Sequence, residues 1–426
     1  MNSVFHLPAS HKSTIETMDG ASNPANLRVL ISGIGIAGPV AAYWLSKGGV
    51  SVTVLERCES LRKEGQTVDI RNEGVKIMRW MGVEEEVRRR TTKELGIKFV
   101  DSKNQTWAAF PQSGEGSFTS EFEIVRGELA TIFYEANRSS VKVTLQKDSS
   151  RHMEFDILIV AEGLTSRTRA KAFNEDIRAP IRSLDLWAAS FSYKQGDSDE
   201  DWARWYNIPN RRGFLVRPDG FGRVRATALC IDDGEAIKLI ASARTSTEKQ
   251  KEYFINLFKG SGWESDKILE GLRDANDLYV QEIAQTKTKT WSKGRVVLVG
   301  DTAFCPSAVT GLGTTAAIAG AYVLAAEIVK NPSDHQAAFS AYDELYAPGS
   351  AQAKKPGNRM GNQVLPGVHI SCFHGHNSRL FALLSKLNLT FYLGISSHAT
   401  LNLPDPSTFD LANKPQLVSR SSTISI

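Results

Sequence analysis

Apolar residues along this chain follow two different periods, and the change of period marks a change in the expected structure. Residues 27–32, LRVLIS, form a short run rich in branched side chains. Such a run predicts a strand buried on both faces, as in a parallel sheet. GIGIAG follows at 33–38, then helical composition at 40–47, the pair Gly48-Gly49, and a second branched run at 50–55. That order is a complete βαβ unit. A further buried strand is expected in FDILIVAEGLTSRTR (155–169), running into a polar turn. Another opens GRVVLVGDTAFCPSAVTGLGTTAAIAGAYVLAAEIV (294–329), with an acid at its end, then a loop and an Ala-rich helix from Thr314 to Val329. Between 181 and 286 the spacing turns to period two, in SLDLWAASFSY (183–193) and GRVRATALCI (222–231), with Gly, Pro and Asp turns between. Alternation of that kind predicts a sheet with one wet face. LFALLSKLNLTFYLGI (380–395) is interrupted by Lys386, Asn388 and Thr390 and reads as a packed amphipathic helix. No run approaches the ~18 apolar residues of a membrane-spanning helix. The fold class is therefore α/β: a Rossmann-like domain, a β-sheet domain and a C-terminal helical region.

The glycines at 33–38 have a chemical reason. Gly33 permits a tight turn, Gly35 lets the backbone approach a pyrophosphate, and Gly38 lets helix and strand pack closely. The N–H groups of the helix start then face the phosphates. Glu56 lies 18 positions beyond Gly38, where an acid can hold ribose hydroxyls. An acid there disfavours a ribose 2′-phosphate, which makes NADP the poorest candidate for this site and leaves NAD and FAD open. Pro39 is tolerated in the first helical turn, where its missing N–H costs little.

Three motifs in this order, GIGIAG at 33–38, a "DG" segment at 156–169 and a "GD" segment at 300–313, resemble the group A flavoprotein monooxygenases, the family of para-hydroxybenzoate hydroxylase. ISGIGIAGP, LERCESLRKEGQTVDIRNEG (55–74) and EIVRGELATIFYEA (123–136) are more similar to the branch containing the tetracycline-inactivating monooxygenase. The resemblance implies FAD, with Gly33, Gly35 and Gly38 on its pyrophosphate and Glu56 and Arg57 on its adenosine half. It implies flavin contacts for Asp69 and Arg126, and a ribityl and phosphate contact for Asp301. Gly311, Leu312, Gly313 and Thr314 would pass under the isoalloxazine ring, and Arg62 falls where the family meets NADPH or NADH. Thr310–Gly313 also offers backbone N–H groups at a helix start, able to stabilise an anionic reduced flavin. Two departures stand out. Ala161-Glu162-Gly163 replaces Ala-Asp-Gly, and Gly300-Asp301-Thr302-Ala303-Phe304 lacks the family's histidine. Both spare the phosphate and ribityl ligands and bear on how the nicotinamide cofactor docks.

The resemblance also implies a division of the chain. FAD-binding segments are expected at 27–93, 122–180 and 287–330, a substrate domain at 94–121 and 181–286, and a helical region at 331–405. The ends, 1–26 and 406–426, read as a disordered and a mobile tail. DWARWYNIPNRRGF (201–214) supplies Trp202, Trp205, Tyr206 and Phe214. Each is more often core than substrate contact, yet one of them facing a flat substrate is expected.

A net charge of +4, from 51 basic and 47 acidic residues, gives no field that would favour nucleic acid. Arg88-Arg89-Arg90 follows Glu84-Glu85-Glu86 and reads as a self-paired helix face. Cys58, Cys230, Cys305 and Cys372 form no C-x-x-C pair, which fits a reducing, intracellular and cytoplasmic setting. The first 26 residues lack the apolar core of a signal peptide. His369, His374 and His376 lack an acid or paired cysteine to complete a metal site, and no G-x-S-x-G elbow follows a strand.

The function expected is an FAD-dependent monooxygenase that uses NAD(P)H and O2 to hydroxylate or epoxidise an electron-rich small molecule, in polyketide or alkaloid tailoring. No side chain stands out as its general base. The alternatives are a flavin oxidoreductase without oxygen insertion, and a degenerate FAD-binding cyclase or interaction protein.

Overall fold

The structure, a computed structural model, describes residues 26–58, 61–62, 65–112, 118–137, 142–145, 153–242, 244–353 and 401–410. Residues 1–25 of the expected 1–26 tail, the His369, His374 and His376 trio, the 380–395 segment and 411–426 lie outside the described residues.

In chain order the first elements are β1 (Arg28–Ser32), α1 (Ala37–Lys47), β2 (Ser51–Glu56), β3 (Thr67–Val68), α2 (Asn72–Trp80), α3 (Glu84–Arg89), β4 (Gly96–Val100) and β5 (Thr106–Pro111). There follow β6 (Ile124–Val125), α4 (Arg126–Glu135), β7 (Lys142–Leu145), β8 (Ile157–Val160), α5 (Arg167–Phe173), β9 (Ile181–Lys194), β10 (Ala203–Ile208), β11 (Arg212–Pro218) and β12 (Arg223–Ile231). The last are α6 (Glu235–Ile240), α7 (Thr247–Phe258), α8 (Ser265–Asp274), β13 (Tyr279–Thr286), β14 (Ser292–Lys293), β15 (Val296–Leu298), α9 (Gly313–Lys330) and α10 (His335–Ala353).

The βαβ unit forms as its pattern predicts. Pro39 sits in the first turn of α1, and Gly48 follows its last residue. The first sheet runs β14-β15-β8-β1-β2-β7, parallel except for β14. Chain order turns back between β1 and β8, the switch point at which open α/β sheets bind ligands. Helix α9 is buried from Ala317 to Val329 and packs against α1, α2 and α10. A helix apolar on every side belongs inside a fold, which is why this one forms the spine of the domain. It starts at Gly313, one residue before the expected Thr314.

The second sheet runs β13-β9-β12-β11-β10-β4-β5. Its expected wet face is overturned. Along β9, Leu186 to Tyr193 are all buried, because both faces are covered. One face packs Phe191, Tyr193 and Phe214 against Phe254 and Phe258 of α7 and Leu269 and Leu272 of α8. The other face carries Leu186, Ala188 and Trp205 and turns toward the first sheet. Period two therefore reports a helix-covered side and a cavity-lining side here, not one core side and one outer surface.

The assignment of a mobile tail from 406 onward also fails at its head. Pro406–Phe409 forms a 3-10 turn, and Phe409 is fully buried, its ring 4.7 Å from Trp44 and 5.5 Å from Tyr322. Tyr322 donates to the Pro404 carbonyl at 2.7 Å, so an aromatic anchor and a buried hydrogen bond hold this segment. On α3 the charges pair as expected, Arg88 with Glu84 and both Arg89 and Arg90 with Glu86. No helix among the described residues is long and apolar enough to cross a membrane.

Candidate active site

The turns leaving the carboxyl ends of β1, β2, β8 and β15 meet in a cavity of 1870 Å³. That is about twice the ~1,000 Å³ of a large small-molecule pocket, enough for a dinucleotide and a second molecule together. Every residue expected to contact FAD or NAD(P)H lines it except Gly38.

Gly38 is required by packing. A Cβ there would fall 2.0 Å from the Gly33 carbonyl oxygen, so glycine lets α1 seat on the turn. Gly33 has φ +110, and a Cβ would stand 2.5 Å from the Ala161 oxygen. Gly35 faces the cavity, where a Cβ would crowd the Arg126 guanidinium at 3.1 Å. Glu56 accepts from the Ile34 N–H at 3.0 Å and from the Cys58 N–H at 3.0 Å. The acid at the end of β2 therefore braces the glycine turn. Arg57 is exposed beside it.

Glu162, the residue that departs from the family, is held by four donors. It accepts from Ser32 Oγ at 2.5 Å, Ser166 Oγ at 2.7 Å, the Thr168 N–H at 3.1 Å and the Thr168 hydroxyl. Burial alone would raise its carboxyl, but the hydroxyls of Ser32, Thr168 and Ser166 outweigh it and hold it below the usual range. The longer arm thus joins β1 to the start of α5. The second motif is tied to the third by Thr302, which accepts from the Gly163 N–H at 2.8 Å, and by buried Arg169, which donates to the Thr302 carbonyl at 3.1 Å. Phe304, in the place of the family's histidine, is buried in the core.

Asp301 sits in a 3-10 turn, Gly300–Thr302, open to the cavity yet deep in the molecule. Burial raises its carboxyl, opposed by the charge of Arg126. Arg126 is in turn held below the usual guanidinium range by burial first and then by Arg62. Arg62 lies over the Tyr279 ring at 4.3 Å, on the cavity rim. Beyond Asp301, Gly311 turns the chain at φ +66 into α9. Neither α1 nor α9 has a side-chain cap or an acid in its first turn, so both present positive ends to the cavity.

Asp69 accepts from Arg71 at 2.7 Å and from the Ser120 N–H at 3.1 Å, next to Gly311. Behind it lies a cluster no sequence motif announces. Arg217 of β11 bonds both oxygens of Glu94, at 2.9 and 3.0 Å, Glu123 at 2.5 Å and Thr67 at 2.8 Å. These residues stand 94 to 150 positions from Arg217, so only the packing of β11 against the β3-β6 ribbon and the segment before β4 brings them together.

The opposite wall comes from the second sheet, every second residue along a strand: Trp205 and Asn207 of β10, Leu215 and Arg217 of β11, Arg225, Thr227 and Leu229 of β12. Of the four aromatics in 201–214, Trp205 faces the cavity, its Nε1 donating to Asn207 at 2.8 Å. Tyr206 and Phe214 pack on the helical side, and Trp202 lies under Lys98. Arg225, paired with Asp277 at 3.0 Å, is a cavity cation that the sequence does not single out.

Residues 26–176 match the family model described as an FAD binding domain. The flavin-dependent monooxygenase eupH of Phoma sp is 37% identical over 342 residues, 72% of this chain and 78% of that protein. The chain belongs to the FAD-dependent monooxygenases. It binds FAD and uses NAD(P)H and oxygen to act on a small molecule. The monooxygenase CTB7 of Cercospora beticola is 35% identical over 347 residues, 75% of this chain and 82% of the relative. The crystal structure of tetracycline destructase Tet(55) superposes with a TM-score of 0.71 at 26% identity, covering 90% of this chain and 100% of that one. The branch of this monooxygenase family suggested by the 55–74 and 123–136 segments is thus represented among its structural relatives.

Proposed function

We propose that this monooxygenase seats FAD along the carboxyl ends of β1, β2, β8 and β15 and oxygenates a flat, electron-rich molecule against the second sheet. The observation that carries this reading is the convergence of three turns, 33–38, 161–165 and 300–314, on one cavity with two uncapped helix ends. The donor set fits the cofactor. Gly33, Gly35 and the α1 N-terminus offer N–H groups to the pyrophosphate, with Gly38 seating that helix. Glu56 and Arg57 stand at the adenosine end, Asp301 at the ribityl chain, and Gly311, Leu312, Gly313 and Thr314 under the ring. Asp69 and Arg126 flank the flavin, and Arg62 stands at the rim where NADPH or NADH approaches.

FAD, when bound, supplies the hydride and oxygen chemistry. The chain's own residues do the rest. The α9 N–H groups stabilise negative charge at the ring's edge. Phe99, Phe118 and Trp205 give an aromatic, apolar wall that excludes water, and Asn207, Thr227 and Arg225 orient oxygens of the substrate. A phenol or enol suits that wall, and its hydroxylation or epoxidation in polyketide or alkaloid tailoring is the reading we favour. Free Cys58, Cys230 and Cys305 support an intracellular, reducing setting.

The test compares wild type with Asp301→Ala by absorbance before and after anaerobic NADPH or NADH, with and without a panel of phenols. Wild type is expected to hold flavin that bleaches, faster with one phenol. The variant should fold and carry little flavin. Full flavin occupancy in D301A would overturn the placement of the cofactor.

A further inference from the structure

Asp69, Glu94 and Glu123 bury three carboxyl groups, 9%, 2% and 2% exposed, around the guanidinium of Arg217, with that of Arg71 on the far side of Asp69. Three anions against two cations would leave one buried negative charge, which a protein interior does not tolerate without compensation. The hydrogen bonds say which acid is neutral. Both Glu94 oxygens accept from Arg217, and Asp69 accepts from Arg71 and the Ser120 N–H. Glu123 accepts from Arg217 through Oε1 alone, and its buried Oε2 meets no donor among the described residues. The Asp69 carboxyl lies within hydrogen-bonding reach of Glu123, and two acids can bond only through a proton. Their environments push them apart in the same sense. Burial and the neighbouring charges of Asp69 and Glu94 raise Glu123 well above the usual range, against the pull of Arg217. At Asp69 the burial penalty is outweighed by the bond from Glu123 and by Arg71 and Arg217, which lower it.

The pair is placed to be used. Asp69, Glu123 and Arg217 line the cavity, and a Cβ on Gly311 would lie 3.4 Å from Asp69 Oδ2. We propose that Asp69 and Glu123 share one proton in the cavity wall and that this pair is the proton store of the site, with Arg217, Arg71 and Glu94 fixing its charge. The inference rests on the placement of the flavin over Gly311–Thr314. The overall reaction needs such a store. NAD(P)H, O2, the substrate and one proton yield NAD(P)+, the oxygenated product and water, and that proton must be delivered to the reacting atoms inside the cavity, where a group in the wall is nearer than the rim. Without substrate, reoxidation of the reduced protein by O2 gives hydrogen peroxide and likewise consumes one proton.

The proton can be seen directly. Infrared spectra of the wild type, with FAD and stripped of it, should show a protonated carboxyl C=O band at neutral pH that shifts in D2O. The band should vanish in Glu123→Gln and persist in Glu123→Asp. Reoxidation of the NADPH-reduced protein by O2 should be about 10²-fold slower in E123Q at high pH, converge with wild type at low pH where solvent supplies protons, and recover in E123D. Absence of the band in wild type overturns the shared proton, and so does a band that E123Q leaves in place. A band with identical reoxidation profiles in E123Q and wild type overturns its use as a store. If E123Q does not fold, the wild-type band and the E123D profile decide. Failure of the flavin placement reads out separately, as a D301A protein that stays yellow.

Discussion

Glu162 shows how a single residue can depart from its family and keep a role. An aspartate at that position would reach less far; the glutamate gathers Ser32, Ser166 and Thr168 across the ends of β1 and α5. Its charge helps fold the protein, because the donors favour the ionised form. Its carboxyl is lowered in the fold, so this stability is present above the ordinary glutamate value and is lost as pH falls through the lowered one. Glu162→Gln should cost about 1–2 kcal/mol at pH 7, after allowing for partial exposure. The gap should close as pH drops below about 4. Urea unfolding of both proteins at several pH values checks this; a gap that is flat with pH would remove the charge from the account. Glu56 is a parallel case: the sequence reads it as a ribose ligand, and the structure adds a bracing of the glycine turn.

At the scale of elements, burial was harder to read than periodicity. The βαβ unit was legible because branched runs, glycines and the acid all sit next to one another in the chain. The outer face of the second sheet was not. Alternation along 183–193 and 222–231 says that two faces differ, but α7 and α8 decide that the outer face is dry and the packing of the sheets decides that the other lines the cavity. The 406–409 turn was equally hidden, since its hold on the core is one ring, Phe409, set against Trp44 and Tyr322 from α1 and α9. Phe409→Ala should destabilise the protein by about 3 kcal/mol, the low end for a buried phenylalanine carried on a short 3-10 turn. A thermal midpoint equal to wild type would show that the anchor contributes nothing.

For the whole molecule, the decisive fact is that two sheets face each other across one chamber, one side built from strand ends, where we place the flavin, and the other from strand faces, where we place the substrate. This separates the effects of substitutions. Trp205→Ala on the far wall should raise KM for a planar substrate about tenfold. Anaerobic flavin reduction by NADPH without substrate should be unaltered, and stopped-flow measurement of both would reject the division if reduction slowed as well. The amino-acid sequence by itself determined the α/β class, the three cofactor motifs and the family they resemble, because each rests on neighbours within a few tens of residues. Only the tertiary structure decided which aromatic faces the chamber, where Glu162 spends its hydrogen bonds, and that Arg217 gathers Glu94 and Glu123 behind Asp69. Those depend on strands and turns distant in the chain being packed together, and no local pattern encodes which side chains such packing will bury together.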